Sequence, residues 1–191
     1  MPLVEGRVLE KQGVAEAAKM MLVSARTAPK TGGVDDISTC LVDGEELESI
    51  AKAMDEIGDE RGIDGFHRDA KNVRDSEAVV LIGVSGSKKY GLNCGACGYE
   101  TCSEFENAER TKGLDFTGPT CVFKGLDLGI ALGSAVKTAA ALNVDNRLMY
   151  RVGTAAVRLA MLPEATVIIG IPVSAQGKSI YYDRVWPPPK K

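Results

Sequence analysis

Apolar and polar positions recur along this chain with two periods, and the switches between them mark out helices and strands. Over residues 10–28, Val14, Ala17, Ala18, Met21, Leu22 and Ala25 fall on one helical face, with Lys11, Glu16 and Lys19 outside it. Pro29 ends that helix and Gly32-Gly33 makes a turn. Residues 37–42 read as a strand, with Ile37, Thr39 and Leu41 on one face and Cys40 on the other. Asp43 is the N-cap candidate of a second helix, with Glu46 three residues later as a variant capping box. Leu47, Ile50, Ala51, Met54 and Ile57 form its inward stripe, and Gly58 is its C-cap candidate. Residues 62–73 predict a shorter helix with Phe66 and Ala70 inward and Asp69, Lys71 and Arg74 exposed.

The run Ala78-Val-Val-Leu-Ile-Gly-Val84 has no alternation at all, which predicts a central strand covered on both faces. Residues 103–110 predict a short helix closed by Gly113, and residues 123–142 predict the longest helix of the chain. Gly125, Gly129 and Gly133 recur every four residues along it, a row that weakens the helix and permits close approach by a neighbour. A further helix over 154–161 is stopped by Pro163, and residues 165–171 give a second fully apolar strand. The end, Val185-Trp-Pro-Pro-Pro-Lys-Lys191, is polyproline-like. No repeat or linker divides the chain, so residues 1–191 are expected to form one domain.

Charge narrows the partners. A net charge of -3 leaves no basic footprint for nucleic acid. The most apolar stretch, residues 125–144, is interrupted by Asp127 and Lys137 and reads as a buried helix, so no membrane association is expected. An odd number of cysteines, 5, behind a start without a long apolar run argues against a secreted disulfide framework and for the cytoplasm.

The chemistry concentrates in one window. Cys94-Gly-Ala-Cys97-Gly-Tyr-Glu-Thr-Cys102 is followed by eighteen residues and then Cys121. Three close cysteines with a fourth from further along is how iron–sulfur clusters are held, and Gly91, Gly95 and Gly98 allow a tight loop whose N–H groups can point at sulfur. Cys94, Cys97, Cys102 and Cys121 are therefore the expected ligands of a [4Fe–4S] cluster. Four cysteines can also hold zinc, although structural zinc usually pairs two Cys-x-x-Cys knuckles and this chain has one.

The remaining candidates are weaker. Arg26, Thr27 and Lys30 surround a Pro-Lys-Thr-Gly-Gly turn whose backbone could meet a phosphate or flavin edge; equally, they are cations suited to a helix C-terminus. Cys40 reads as an inert buried thiol. His67 reads as part of a solvated helix face. Ser85-Gly-Ser-Lys88-Lys89 lacks Walker spacing and reads as a loop leading to the cysteines. Lys178 and Arg184 read as surface charges.

Two resemblances follow from these residues. Asn93-Cys94-Gly-Ala-Cys97-Gly-Tyr-Glu-Thr-Cys102, with Phe105 and Pro119-Thr-Cys121, resembles the small four-iron domain of corrinoid iron–sulfur proteins and electron-transfer subunits. Ala25-Arg26-Thr27-Ala28-Pro29-Lys30, the order of later elements, and Gly170-Ile-Pro resemble the FMN-dependent nitroreductase family. The whole chain resembles uncharacterised ferredoxin-domain proteins, which combine Thr-Ala-Pro-Lys, this cysteine set and the ending Gly170-Ile-Pro-Val-Ser-Ala-Gln-Gly-Lys178. The resemblance implies an α+β fold: a nitroreductase-like mixed sheet flanked by helices, with an inserted four-cysteine iron–sulfur segment over residues 88–122. It also implies FMN as a second cofactor and a homodimer formed along the long helix and the extended tail. Nitroreductases open with an Arg-Ser-x-Arg segment that holds the flavin phosphate, whereas only Glu5-Gly6-Arg7 stands here before the first helix.

Two functions are expected. One is electron transfer through the cluster, with a redox partner protein or a flavin and small-molecule acceptor. The other is a non-enzymatic cluster- or metal-binding module for redox sensing or docking.

Overall fold

The computed structural model describes residues 3–182. Arg184 and the polyproline-like end lie outside the described residues.

Helix α1 spans Gly6–Thr27 and buries Val14, Ala17, Ala18, Met21 and Ala25, the stripe that the sequence predicts. It begins before the stripe because its first residues are exposed all round and carry no pattern. A 3-10 turn at Thr31–Gly33 leads into strand β1, Ile37–Asp43. Asp43 ends that strand and does not cap the next helix. The N-cap of helix α2, Glu45–Arg61, is Gly44, whose φ of 57° favours glycine. The C-cap is Gly62 in the left-handed conformation, and Gly58 is interior. A Cβ on Gly58 would stand 2.9 Å from His67 Nε2 and 3.1 Å from Phe66 Cβ, so its missing side chain lets helix α3, Asp64–Arg74, pack close. On α3, Phe66 and Ala70 point inward as expected, but Asp69 is buried. Its carboxylate binds Arg68 at 2.7 Å and Arg151 at 2.8 Å, and those two guanidinium groups make its burial tolerable.

Strand β2 is Ala78–Val84, fully buried along its length. Then come helix α4, Cys102–Asn107, and a hairpin of β3, Thr111–Lys112, and β4, Thr117–Gly118. Helix α5, Val122–Ala141, strand β5, Asp145–Asn146, helix α6, Tyr150–Arg158, and strand β6, Val167–Ser174, complete the described chain.

The main sheet has the order β1-β2-β6-β5. β2 pairs Ala78 with both Asp43 and Val173, and Val84 with both Ile37 and Val167. Every pairing among the described residues is antiparallel; a parallel pairing that would make the sheet mixed is not found among them. Helices cover both faces, which is what the unbroken apolar run of β2 requires. Val80 and Ile82 join Met21, Ala131 and Ala135 in one core beneath α1 and α5. Val79 and Leu81 join Ile50, Met54, Phe66 and Val152 in a second core beneath α2, α3 and α6. α6 lies so close to β6 that a Cβ on Gly153 would fall 1.8 Å from the Ile168 carbonyl oxygen. By contrast, no described atom lies within 4 Å of a Cβ placed on Gly125, Gly129 or Gly133 of α5. That glycine row faces outward beside Val122, Leu126 and Ile130, which are also exposed.

Candidate metal centre

The cysteine window lies in residues 85–121, between the fully buried strand β2 and helix α5. Both ends of this segment are fastened at the same place. The Cys121 amide donates to the Gly86 carbonyl at 2.9 Å, and the Gly86 amide donates to Thr166 Oγ1 at 2.9 Å. Within the segment, Gly91, Asn93, Gly95 and Gly98 all have positive φ, which coils the loop tightly. The Gly98 amide closes on the Gly95 carbonyl at 2.9 Å.

Four thiols line one cavity: Cys94, Cys97, Cys102 and Cys121. Cys94 is exposed, Cys97 and Cys102 are half-buried, and Cys121 is buried. Their backbones come from three sources. Cys94 and Cys97 sit on the coiled loop. Cys102 opens α4, whose N-terminus carries a capping box: the Glu104 amide donates to Thr101 Oγ1 at 3.2 Å, and the Thr101 amide donates to the Glu104 carboxylate at 3.4 Å. Cys121 is the N-cap of α5. The Asn93 amide points at the Cys102 sulfur at 3.3 Å, the kind of N–H···S contact that stabilises a thiolate ligand. Tyr90, Tyr99, Phe105 and Phe123 supply an aromatic wall. Among the described residues, no three His, Cys, Asp or Glu side chains lie close enough together to bind one metal ion.

Arg110 ties the segment together, and nothing in the sequence marks it. Its guanidinium donates to the carbonyls of Phe105 at 2.8 Å, Pro119 at 3.0 Å and Ser87 at 3.1 Å, and stacks 4.5 Å from the centre of the Phe105 ring. The hairpin is anchored to the core through Asp115. Arg61 donates to Asp115 Oδ1 at 2.6 Å, and the Tyr150 hydroxyl donates to Oδ2. Burial pushes the Asp115 carboxyl up, but the hydrogen bonds from Tyr150 and Arg61 outweigh it and hold its pKa below the usual carboxylate value.

Beneath the aromatic wall lies a buried charge network, also absent from the sequence-based expectations. Lys124 is fully buried, with Nζ 2.7 Å from Asp36 Oδ2, 4.0 Å from Asp127 Oδ2 and 6.0 Å from the Tyr90 ring centroid. The Lys124–Asp36 contact is an ion pair, and Asp127 Oδ2 is buried without a hydrogen bond among the described residues. Lys88 pairs with Asp36 at 2.6 Å from the outside. Asp127 Oδ1 accepts from the amide and the hydroxyl of Thr31, both at 2.8 Å.

The chain is 52% identical over 189 residues to an uncharacterised protein of Archaeoglobus fulgidus, covering 99% of this chain and 100% of that one. Residues 117–184 match the family model described as "Uncharacterized protein containing a ferredoxin domain". The chain belongs to this ferredoxin-domain family. Cys121 and Lys124 fall inside the matched residues of the family protein, whereas Cys94, Cys97 and Cys102 precede them. Its fold is nitroreductase-like. The NADPH:FMN oxidoreductase of Vibrio harveyi, solved with NAD+, matches with a TM-score of 0.53 at 9% identity, covering 94% of this chain and 63% of that one. An FMN-dependent nitroreductase of Clostridium difficile R20291 matches with a TM-score of 0.53 at 13% identity, covering 85% and 76%. A nitroreductase family protein of Clostridium novyi NT matches with a TM-score of 0.53 at 12% identity, covering 95% and 79%. The ferredoxin description gives the family an iron–sulfur and redox theme. No helix among the described residues is long and apolar enough to cross a membrane.

The ferredoxin-domain protein engages its other candidate residues with partners other than the cysteines. Arg26 donates to Asp35 at 2.5 Å and to the Ile37 carbonyl at 2.8 Å. Lys30 donates to the Ala25 carbonyl at 3.0 Å and to the Arg26 carbonyl, and Thr27 donates to the Val23 carbonyl at 3.0 Å. All three side chains turn toward the C-terminal end of α1 and the start of β1. Cys40 is half-buried against the second core; burial and then the nearby Glu164 carboxylate push its thiol pKa up. His67 Nδ1 lies 2.8 Å from Asp55 and Nε2 lies 3.3 Å from Asp59, joining α3 to α2.

Proposed function

We propose that this protein transfers electrons through a [4Fe–4S] cluster held by Cys94, Cys97, Cys102 and Cys121. The observation that carries the reading is that these four thiols, from three parts of the backbone, line a single cavity. The donor set suits the group: four thiolates, an amide aimed at one sulfur, and an aromatic wall that limits water. A zinc ion draws four sulfurs to about 2.3 Å from one point. A cluster binds each sulfur to a different iron, and one Cys-x-x-Cys pair with two separate cysteines suits it better than the paired knuckles usual for structural zinc. When bound, the cluster supplies one-electron chemistry. The chain's own contribution is to orient the sulfurs through Asn93, α4 and α5, to hold the segment closed through Arg110, and to restrict solvent with Tyr99 and Phe105.

The reading treats residues 88–122 as an iron–sulfur segment inserted in a single nitroreductase-like domain and places the protein in the cytoplasm. It includes self-association as a homodimer through α5, whose outward face combines the glycine row with Val122, Leu126 and Ile130. A redox partner protein then exchanges electrons at the exposed Cys94 side. A second form adds FMN near Arg26, Thr27 and Lys30 and a small-molecule acceptor; the FMN named for similar folds supports it. The alternative is a non-enzymatic cluster-binding module for redox sensing or docking. The commitment of those three side chains to α1, β1 and Asp35 favours this alternative.

Strictly anaerobic purification followed by iron, sulfide, zinc and flavin analysis tests the proposal. About four irons and no flavin per chain supports the carrier. Stoichiometric FMN supports the flavin-linked form. Zinc without iron overturns the redox reading. A monomer by light scattering at high concentration removes the dimer.

A further inference from the structure

We propose that Lys124 raises the reduction potential of the cysteine-held centre by fixing a positive charge behind it. This inference rests on the iron–sulfur reading of the cavity. Fully buried lysines are rare, because desolvating an ammonium costs several kcal/mol unless its surroundings compensate. This one is compensated by two carboxylates of the chain, Asp36 and Asp127, and not by solvent. Its place is fixed by its helix. Lys124 follows Cys121, the N-cap of α5, within one turn, and the Gly125 amide donates to the Cys121 carbonyl at 3.1 Å. Between its Nζ and the cavity stands the Tyr90 ring, which lines the cavity and lies 6.0 Å from the Phe123 ring. The charge is thus held behind a ring of the cavity wall, on a side chain that water does not reach to screen.

The carboxylates that hold Lys124 are themselves held elsewhere. Asp36 is shared with Lys88, and Asp127 is fastened to Thr31. The ammonium cannot leave without exposing two buried anions to each other. Reduction adds one electron to the centre, so a neighbouring positive charge favours the reduced state and a neighbouring negative charge opposes it. Lys124 and its two aspartates therefore act in opposite directions on the same equilibrium.

The test is the midpoint potential of the reconstituted centre, followed by its visible absorbance under a defined redox poise. Lys124→Gln should lower the reduced-to-oxidised ratio at fixed poise by about tenfold or more, equivalent to about 59 mV for one electron. Asp127→Asn should raise that ratio, and Asp36→Asn should do the same. Lys88→Gln should shift it less than Lys124→Gln, because the Lys88 side chain is 62% exposed and screened by solvent. Should Lys124→Gln fail to fold, the direction of the Asp127→Asn shift decides. Iron-loaded variants with the wild-type potential overturn the assignment to Lys124 and leave the cluster reading intact. A wild-type protein that takes up no iron and sulfide overturns the cluster reading itself.

Discussion

Asn93 and Cys102 hold each other's backbone. The Cys102 amide donates to Asn93 Oδ1 at 2.8 Å, and the Asn93 amide donates to Cys102 Sγ at 3.3 Å. Asn93 also adopts a φ of 50°, a conformation asparagine tolerates better than most residues. Asn93→Ala removes the acceptor and strains the backbone, at a cost of about 1–2 kcal/mol for each effect. Iron release to a chelator should be at least about tenfold faster. Asn93→Gly relieves the strain without restoring the acceptor, so it should fall between the two. Release rates equal to wild type in both variants would show that the clasp does not hold the centre.

The five thiols should separate on alkylation of metal-free, folded protein. Cys94 is exposed and should react first, whereas Cys121 is buried and should react only on unfolding. Cys40 should also lag, because burial and Glu164 push its pKa up and reduce its thiolate fraction. Mass spectrometry of a time course checks the order. Correspondingly, Cys40→Ser should leave iron content unchanged while Cys121→Ser lowers it.

The α2–α3 contact makes stability depend on pH. The hydrogen bond to Asp55, assisted by the charges of Asp59 and Asp55, raises the His67 pKa above its ordinary 6.5. Its contribution is therefore full below pH 6.5 and is lost as pH rises through the raised folded value. For Asp55, burial pushes upward, but the hydrogen bonds from His67 and Arg74 prevail and lower its pKa. Its contribution is present above the ordinary 3.8 and disappears as pH falls through the lowered value. Urea midpoints should decline from mildly acidic toward alkaline pH, and His67→Gln should flatten that limb. An unchanged slope in the variant would remove His67 from the effect.

Glycines in two helices should respond oppositely to alanine. Gly153→Ala drives a methyl group into the Ile168 carbonyl between α6 and β6, so it should cost about 3 kcal/mol or more and in the extreme prevent folding. Gly129→Ala meets no described atom and should stabilise the isolated chain by up to about 1 kcal/mol through helix propensity. In a homodimer packed on that row, the same change should weaken association. Denaturant midpoints and sedimentation separate the two effects.

What could be read from the sequence depended on whether the cause was local. Ala78–Val84 was legible to the residue because a strand buried on both faces leaves an unbroken apolar run. The gathering of the four cysteines at one cavity was legible as well, since three of them share one short glycine-punctuated stretch. Asp69 was assigned to the surface because the arginine that completes its pairing, Arg151, lies far along the chain on α6. The start of α2 was misplaced because the positive φ of Gly44, and no side-chain cap, makes the bend. The strands β3, β4 and β5 are two residues long and too short to show a period. Arg110 and Lys124 were missed for the same reason as Asp69. Each is an ordinary cation in sequence and acquires its role only from carbonyls or carboxylates that folding gathers around it.

The exposure of the four thiols falls from the rim at Cys94 to the floor at Cys121, which is 6% exposed. The floor belongs to α5 and is built into the core, while the rim belongs to a glycine-coiled loop. On the proposed cluster reading, Cys94 is the thiol that incoming iron and sulfide would meet first. On that same reading, the innermost thiol is set by the core and the outermost by a loop, so the site has a fixed floor and an accessible rim.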